Sequence, residues 1–159
     1  MQIKLLTVGK IKEAYFRDAV GEYEKRLSRY CKLSVLEVKD EKAPENLSEK
    51  EMEQIKDAEG SKLLEKIGPD DHVIALAIGG KKYTSEEFSS HMEQVYMRSK
   101  GAVCFVIGGS LGLSGEVLRR SNEQLSFSDM TFPHQLMRVV FLEQLYRAFR
   151  IKTGEPYHK

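Results

Sequence analysis

Apolar positions along the chain follow two rhythms. Short, nearly continuous apolar runs bounded by turn residues predict strands at "IKLLTV" (3–8), "LSVLEV" (33–38), "HVIALAI" (72–78) and "AVCFVI" (102–107). "QLSFSDM" (124–130) reads as a short strand or extended loop. Between these runs, apolar residues recur every three or four positions. Phe16, Val20, Tyr23, Leu27 and Tyr30 form one helical stripe, Phe88, Met92, Val95 and Tyr96 another, and Leu136, Val140, Leu145 and Phe149 a third. Ser48 with Glu51, and Thr84 with Glu87, are capping-box pairs, in which each side chain satisfies the other residue's backbone N–H at a helix start. The helix opened by Ser48 carries Met52, Ile55, Leu63, Leu64 and Ile67, and Gly60 is expected to interrupt it. Ser114 has the chemistry to cap a short helix through Arg120, and Pro133 suits the first turn of a closing helix that stops near Gly154. The order β-α-β-α-β-α-β-α-β-α predicts an α/β fold: an open, mostly parallel sheet with helices on both faces. Ligands of such sheets bind beyond the carboxyl ends of the strands.

A length of 159 residues fits one core, so residues 1–159 are expected to form a single domain. With 41% hydrophobic and 31% charged residues and no low-complexity tract, the composition is that of a globular chain. No apolar run approaches the roughly 20 residues of a membrane helix, and the apolar patch in "MQIKLLTVGK" is too short for a signal peptide. A cytoplasmic protein without a membrane partner is the expectation. Cys31 and Cys104 lie far apart and neither stands with a histidine at metal-ligand spacing, so reduced core thiols and no metal are expected. The net charge of +1 excludes a general basic field for a polyanion, but charge is unevenly placed. The stretch 37–59 is acidic, whereas 133–159 holds Arg138, Arg147, Arg150, Lys152 and Lys159 against Glu143 and Glu155. RNA, if bound, is expected near this basic end; the alternative is a solvated helix face.

The chemistry-bearing stretch is "FVIGGSLGLS" (105–114), a buried strand running into glycines. Glycines there either admit backbone close to a ligand or simply make a tight turn. Gly108, Gly109 and Gly112 do not supply the G-x-G-x-x-G order of a dinucleotide site, and the loop lacks the lysine of a P-loop. A phosphate cradle is disfavoured; an uncharged, mostly apolar loop suits a flat neutral body such as adenosine. "LSFSDMTFPHQ" (125–135) is a second such loop, rich in hydroxyls and rings, with Asp129 its one charge, and Gly79 and Gly80 mark a third. The three converge on one pocket if their strands are adjacent.

"FVIGGSLGLS", "LSFSDMTFPHQLMRVVFLEQLYRAFRI" and the terminal "GEPYHK" closely resemble the ribosomal RNA large subunit methyltransferase H family of the SPOUT class, and the likeness extends to "MQIKLLTVGK" and the "SEEF" after Thr84. The resemblance implies an α/β fold with a C-terminal deep trefoil knot, against the general rarity of knots. It further implies a homodimer, S-adenosylmethionine as cofactor, and methylation of N3 of a pseudouridine in large-subunit (23S) ribosomal RNA of the assembled ribosome. Matched by position, cofactor contacts fall on Leu76, Gly108, Phe127, Ser128, Asp129, Met130, Thr131 and Phe132. One departure is that many relatives carry a charged or acidic residue just after the third strand, where "ALAIGGKKY" is apolar up to Gly79.

The N3 of a uracil-like ring is a weak nucleophile until its proton leaves, so a base or an anion-stabilising cation is expected beside it. In the matched C-terminal residues, His158 is the candidate for assisting deprotonation, Tyr157 for stacking on or positioning the base, and Arg138 for contacting phosphate or developing negative charge. The alternative for "PYHK" is a fraying terminus. His134 is a further candidate in these matched residues, but its expected role is the helix start; His72 is expected to serve a strand entrance, His91 to be solvated, and Asp129 to act as a base or a cap. The closing helix carries Leu136, Val139, Val140, Phe141, Leu142 and Leu145 on more than one face, which suggests burial against a twin subunit. Two other classes fit less well: a dehydrogenase- or flavodoxin-type nucleotide-binding enzyme, opposed by the broken fingerprint, and a non-catalytic ribosome-binding protein, which would lack affinity for the cofactor.

Overall fold

A computed structural model describes residues 1–157. Five strands, β1 (Gln2–Val8), β2 (Lys32–Val38), β3 (His72–Lys81), β4 (Val103–Ile107) and β5 (Glu123–Leu125), alternate with five helices. The helices are α1 (Ala14–Leu27), α2 (Glu49–Leu64), α3 (Ser85–Arg98), α4 (Gly115–Arg120) and α5 (His134–Lys152). All strand pairs are parallel, in the order β2-β1-β4-β3-β5, as the alternation of elements predicts. Strand order does not record how the loops are threaded, so the knot rests on the family resemblance.

The period-two side-chain rule separates the two faces of the sheet. Ile3, Leu5, Ile74, Val103, Phe105 and Ile107 point to a core closed by α1, α3 and α5, through Val20, Leu27, Phe88, Met92, Val95, Phe141 and Leu145. Leu6, Val8, Val73, Cys104 and Val106 point to the other side, where Leu63 of α2 and Val117 of α4 cover them. Both capping boxes form as the sequence predicts, at Ser48 and at Thr84.

Two glycine expectations are corrected. Gly60 does not interrupt α2, which runs unbroken through it. A Cβ on Gly60 would lie 2.3 Å from Ser114 Oγ and 3.2 Å from Val117 Cγ2, so the glycine lets α2 settle against α4. Gly79 and Gly80 belong to β3 rather than to a loop. Gly80 passes so close to β5 that a Cβ would stand 2.7 Å from backbone atoms of Gln124 and Leu125.

At the amino ends of the strands, Asp71 ties the sheet together. Its carboxylate accepts from Lys4 Nζ at 2.8 Å, Gly68 N at 2.7 Å, Ala102 N at 2.9 Å and Cys104 Sγ at 3.3 Å. Burial by itself raises its pKa, but these donors outweigh it and hold the carboxyl down at about 2. Both cysteines are free and buried, and burial pushes the Cys31 thiol up to about 11 and the Cys104 thiol to about 12.

Candidate cofactor and RNA site

The carboxyl ends of β4, β3 and β5, consecutive in the sheet, open onto a cavity of about 760 Å³. Three local devices shape it. After β4, the chain folds back on itself: Gly112 N donates to Gly109 O at 3.1 Å, and Gly112 takes a φ of +89°, which favours glycine. A Cβ on Gly108 would meet Gly112 C at 2.7 Å, so the inside of this turn has no room for side chains. Leaving β3, a bulge lets both Leu76 and Lys81 pair with Leu125, and it turns Ala77 and Ile78 into the cavity wall. Beyond β5, the loop braces itself: Ser126 Oγ donates to Ser128 O at 3.0 Å, and Ser128 Oγ accepts from Met130 N at 3.0 Å.

Seven of the eight residues expected to touch cofactor line this cavity: Leu76, Gly108, Phe127, Ser128, Met130, Thr131 and Phe132. Asp129 does not. Its carboxylate is turned outward, 81% exposed, and pairs with Lys82 Nζ at 2.5 Å, so it neither lines the wall nor caps α5. No Lys, Arg, Asp or Glu stands among the lining residues. Ile78, Met130 and Phe132 leave apolar surface exposed at the same place.

His134 is the titratable side chain of the lining. Sequence reasoning counted it among the candidates for the N3 chemistry but preferred a role at the helix start. Burial, with the Arg138 charge nearby, lowers its pKa from the ordinary histidine value, against a smaller opposing pull from Asp40. Both effects favour the neutral form of the imidazole. Its position as the first residue of α5, directly after the second ligand loop, was the signal available in the sequence.

The other candidates lie elsewhere. Arg138 is 1% exposed and reaches behind the loops, donating to Glu37 Oε2 at 2.8 Å, Val8 O at 2.8 Å and Gly9 O at 2.9 Å. Its guanidinium is thereby occupied within the chain, where it fixes α5 to the ends of β1 and β2. Tyr157 folds against α5, its hydroxyl donating to Glu143 Oε1 at 3.1 Å and its ring lying under Arg147 and beside Tyr146. Burial, a Tyr23 hydrogen bond and the Glu143 charge push its phenol up to about 12, so it is neutral. It does not line the cavity of its own chain. His158 lies outside the described residues.

His91 is not simply solvated: Glu123 receives His72 Nε2 on one carboxylate oxygen at 2.6 Å and His91 Nε2 on the other at 2.5 Å, joining β3, α3 and β5. Among the described residues no cluster of His, Cys, Asp or Glu has metal-holding geometry, and no helix is long and apolar enough to cross a membrane.

Comparison with known proteins is decisive on the family. The family described as "Predicted SPOUT methyltransferase" matches residues 1–158. The chain belongs to the SPOUT methyltransferases. Similar proteins within reach of this SPOUT chain include the "Ribosomal RNA large subunit methyltransferase H" of Bacillus pumilus and that of Bacillus thuringiensis, each 60% identical over 159 residues and matched over the full length of both chains. Two solved structures share the fold at 12% identity. A probable methylase family protein from Haemophilus influenzae superposes with a TM-score of 0.55 over 99% of this chain and 70% of its own. A putative methyltransferase from Legionella pneumophila, solved in complex with bound S-adenosylmethionine, gives 0.51 over 94% and 66%.

Proposed function

We propose that this protein is the S-adenosylmethionine-dependent 23S ribosomal RNA (pseudouridine-N3) methyltransferase of its cell. It acts in the cytoplasm on assembled ribosomes, as a homodimer, with residues 1–159 forming one knotted SPOUT domain. The observation that carries the reading is the wall of the cavity. Its volume lies within the ~300–1,000 Å³ of small-molecule sites, no Lys, Arg, Asp or Glu stands in its lining, and burial favours the neutral form of His134. Such a wall suits adenosine and sets no cationic side chain against a sulfonium, whereas a polyphosphate would find no counter-charge. The names of the full-length relatives support ribosomal RNA as the substrate.

When bound, S-adenosylmethionine supplies an electrophilic methyl group. The chain's own task is to hold N3 in line with it and to take the N3 proton. Leu76, Gly108, Phe127, Ser128, Met130, Thr131 and Phe132 form the binding wall, and the exposed faces of Met130 and Phe132 receive the base. Tyr157, a neutral phenol, positions the base, and His158 assists deprotonation. Since Tyr157 packs away from the cavity of its own chain, the tail acts on a partner's cavity. The dimer contact uses the half-buried Leu136, Val139 and Val140; Phe141, Leu142 and Leu145, expected there too, are buried in the chain's own core. The position of His134 on the wall favours a second reading of the proton acceptor, in which this imidazole takes the N3 proton.

Calorimetric titration with S-adenosylmethionine tests the cofactor assignment. One site per chain is expected, with Gly108→Val weakening it at least about tenfold because the added side chain meets Gly112 backbone. A wild-type protein that takes up no S-adenosylmethionine contradicts the proposal.

A further inference from the structure

The proposed substrate is a polyanion, yet the basic residues of α5 are engaged within the chain. Arg138 is buried on Glu37, Arg147 pairs with Glu143, Arg150 with Glu155, and Lys152 lies 3.4 Å from Glu93. The charge of this helix is therefore already matched by acids of the same chain, and a free phosphate-binding charge is to be sought at another place near the cavity.

The turn after β1 together with the first turn of α1, "GKIKEAYFR" (9–17), offers it. Its backbone is fixed on several sides. Gly9 N donates to Val38 O at 2.8 Å, and Gly9 O accepts from Arg138 Nη2 at 2.9 Å. Arg17 Nη1 donates to Ile11 O at 3.2 Å and to Lys12 O at 3.1 Å. Lys12 N donates to Gln135 Oε1 at 3.2 Å, which seats the turn against the first turn of α5, beside the cavity-lining His134. Ile11 packs inward on the core while Lys10 and Lys12 on either side of it are exposed. Neither ammonium forms an ion pair among the described residues; the acids at the turn are Asp40, which approaches at Gly9, and Glu13, which follows Lys12 in the chain. Tyr15 adds a ring that is 66% exposed, its orientation set by an edge contact with Phe16 at 4.6 Å. Two cations and an aromatic face on a rigid turn are the elements of a grip on single-stranded nucleic acid: the cations hold phosphate and the ring offers a stacking surface.

We propose that Lys10 and Lys12, with the ring of Tyr15, hold the sugar-phosphate backbone of the RNA substrate beside the cavity and so position the target base. This rests on the reading of the protein as a ribosomal RNA methyltransferase. The lysines are positioning residues; they do not touch the reacting atoms. The fixed backbone matters because it spares the cost of ordering a loop on binding, which leaves only the rotamer freedom of the two lysine side chains to be lost on meeting phosphate.

The test is steady-state methylation of ribosomes from a strain lacking this gene, over a range of salt concentrations, with the wild type, K10Q/K12Q, and K25Q/K50Q as a control of equal charge change. For K10Q/K12Q we expect KM to rise about tenfold or more, and the fall of log(kcat/KM) with log salt to be shallower by about 1–2, the counterion release of two phosphate contacts. Cofactor affinity by calorimetry and Tm should match the wild type, since both side chains are exposed. Wild-type KM and salt slope in K10Q/K12Q, or an equal change in K25Q/K50Q, overturns the inference. If the wild type methylates no RNA at all, the enzymatic reading fails first, a result distinct from either.

Discussion

At the scale of single residues, the strongest electrostatic anchor lies at the end of the sheet opposite the cavity. Asp71 gathers donors from β1, the β3 approach and β4, and its pKa falls from 3.8 to about 2. A carboxyl with a lowered folded-state pKa stabilises the fold above its unfolded pKa, and that contribution disappears as pH falls through the folded value. The shift corresponds to about 2 kcal/mol at neutral pH. Asp71→Asn is expected to lower the free energy of unfolding by about that amount or more near pH 7, with Lys4 left unpaired. The gap between variant and wild type in denaturant titrations should close between about pH 4 and pH 2. A gap independent of pH would show that shape, not charge, holds this corner. Arg138 illustrates the same physics in reverse for sequence reading. An arginine near a terminal basic cluster reads as an RNA contact, but Glu37 and two carbonyls, more than a hundred residues away in sequence, claim it.

At the scale of elements, strands and helices were legible because each local signal agreed with the next: short apolar runs, helical stripes and capping boxes at Ser48 and Thr84 all recur in the structure. Where the reading failed, a partner distant in sequence decided the outcome. Gly60 looks like a helix breaker until Ser114 and Val117 are placed against it, and Gly79–Gly80 looks like a loop until β5 is placed beside β3. The two adjacent glycines allow a sharp comparison. Gly80→Ala brings a Cβ within 2.7 Å of β5 backbone, whereas a Cβ at Gly79 meets nothing within 4 Å. Gly80→Ala should cost about 1–3 kcal/mol and weaken cofactor binding by shifting the Ala77–Ile78 bulge, while Gly79→Ala leaves both unchanged. Thermal unfolding and calorimetry on the pair check this; equal behaviour of the two variants refutes the bulge as a determinant of the cavity.

At the scale of the whole molecule, the sheet order brings the loops after β4 and β5 and the bulged stretch of β3 to one end, and this adjacency makes one cavity of them. The uncharged character of the glycine loop was readable from its residues, and seven of the eight cofactor positions carried over from the family line the wall. The side chain of Asp129 stands apart from the other seven, paired with Lys82 across the bulge, a partner that a lone acid in a hydroxyl-rich loop does not reveal. His134 was underrated because its neighbours Arg138 and Asp40, which set its protonation, meet only in the folded chain. The central claim is transfer of a methyl group to N3 of a pseudouridine in large-subunit ribosomal RNA. It is tested most directly by mass spectrometry of that RNA from a strain deleted for this gene, with and without the gene restored. The account predicts that the N3-methylated pseudouridine disappears on deletion and returns on restoration; a methyl group still present in the deleted strain contradicts it.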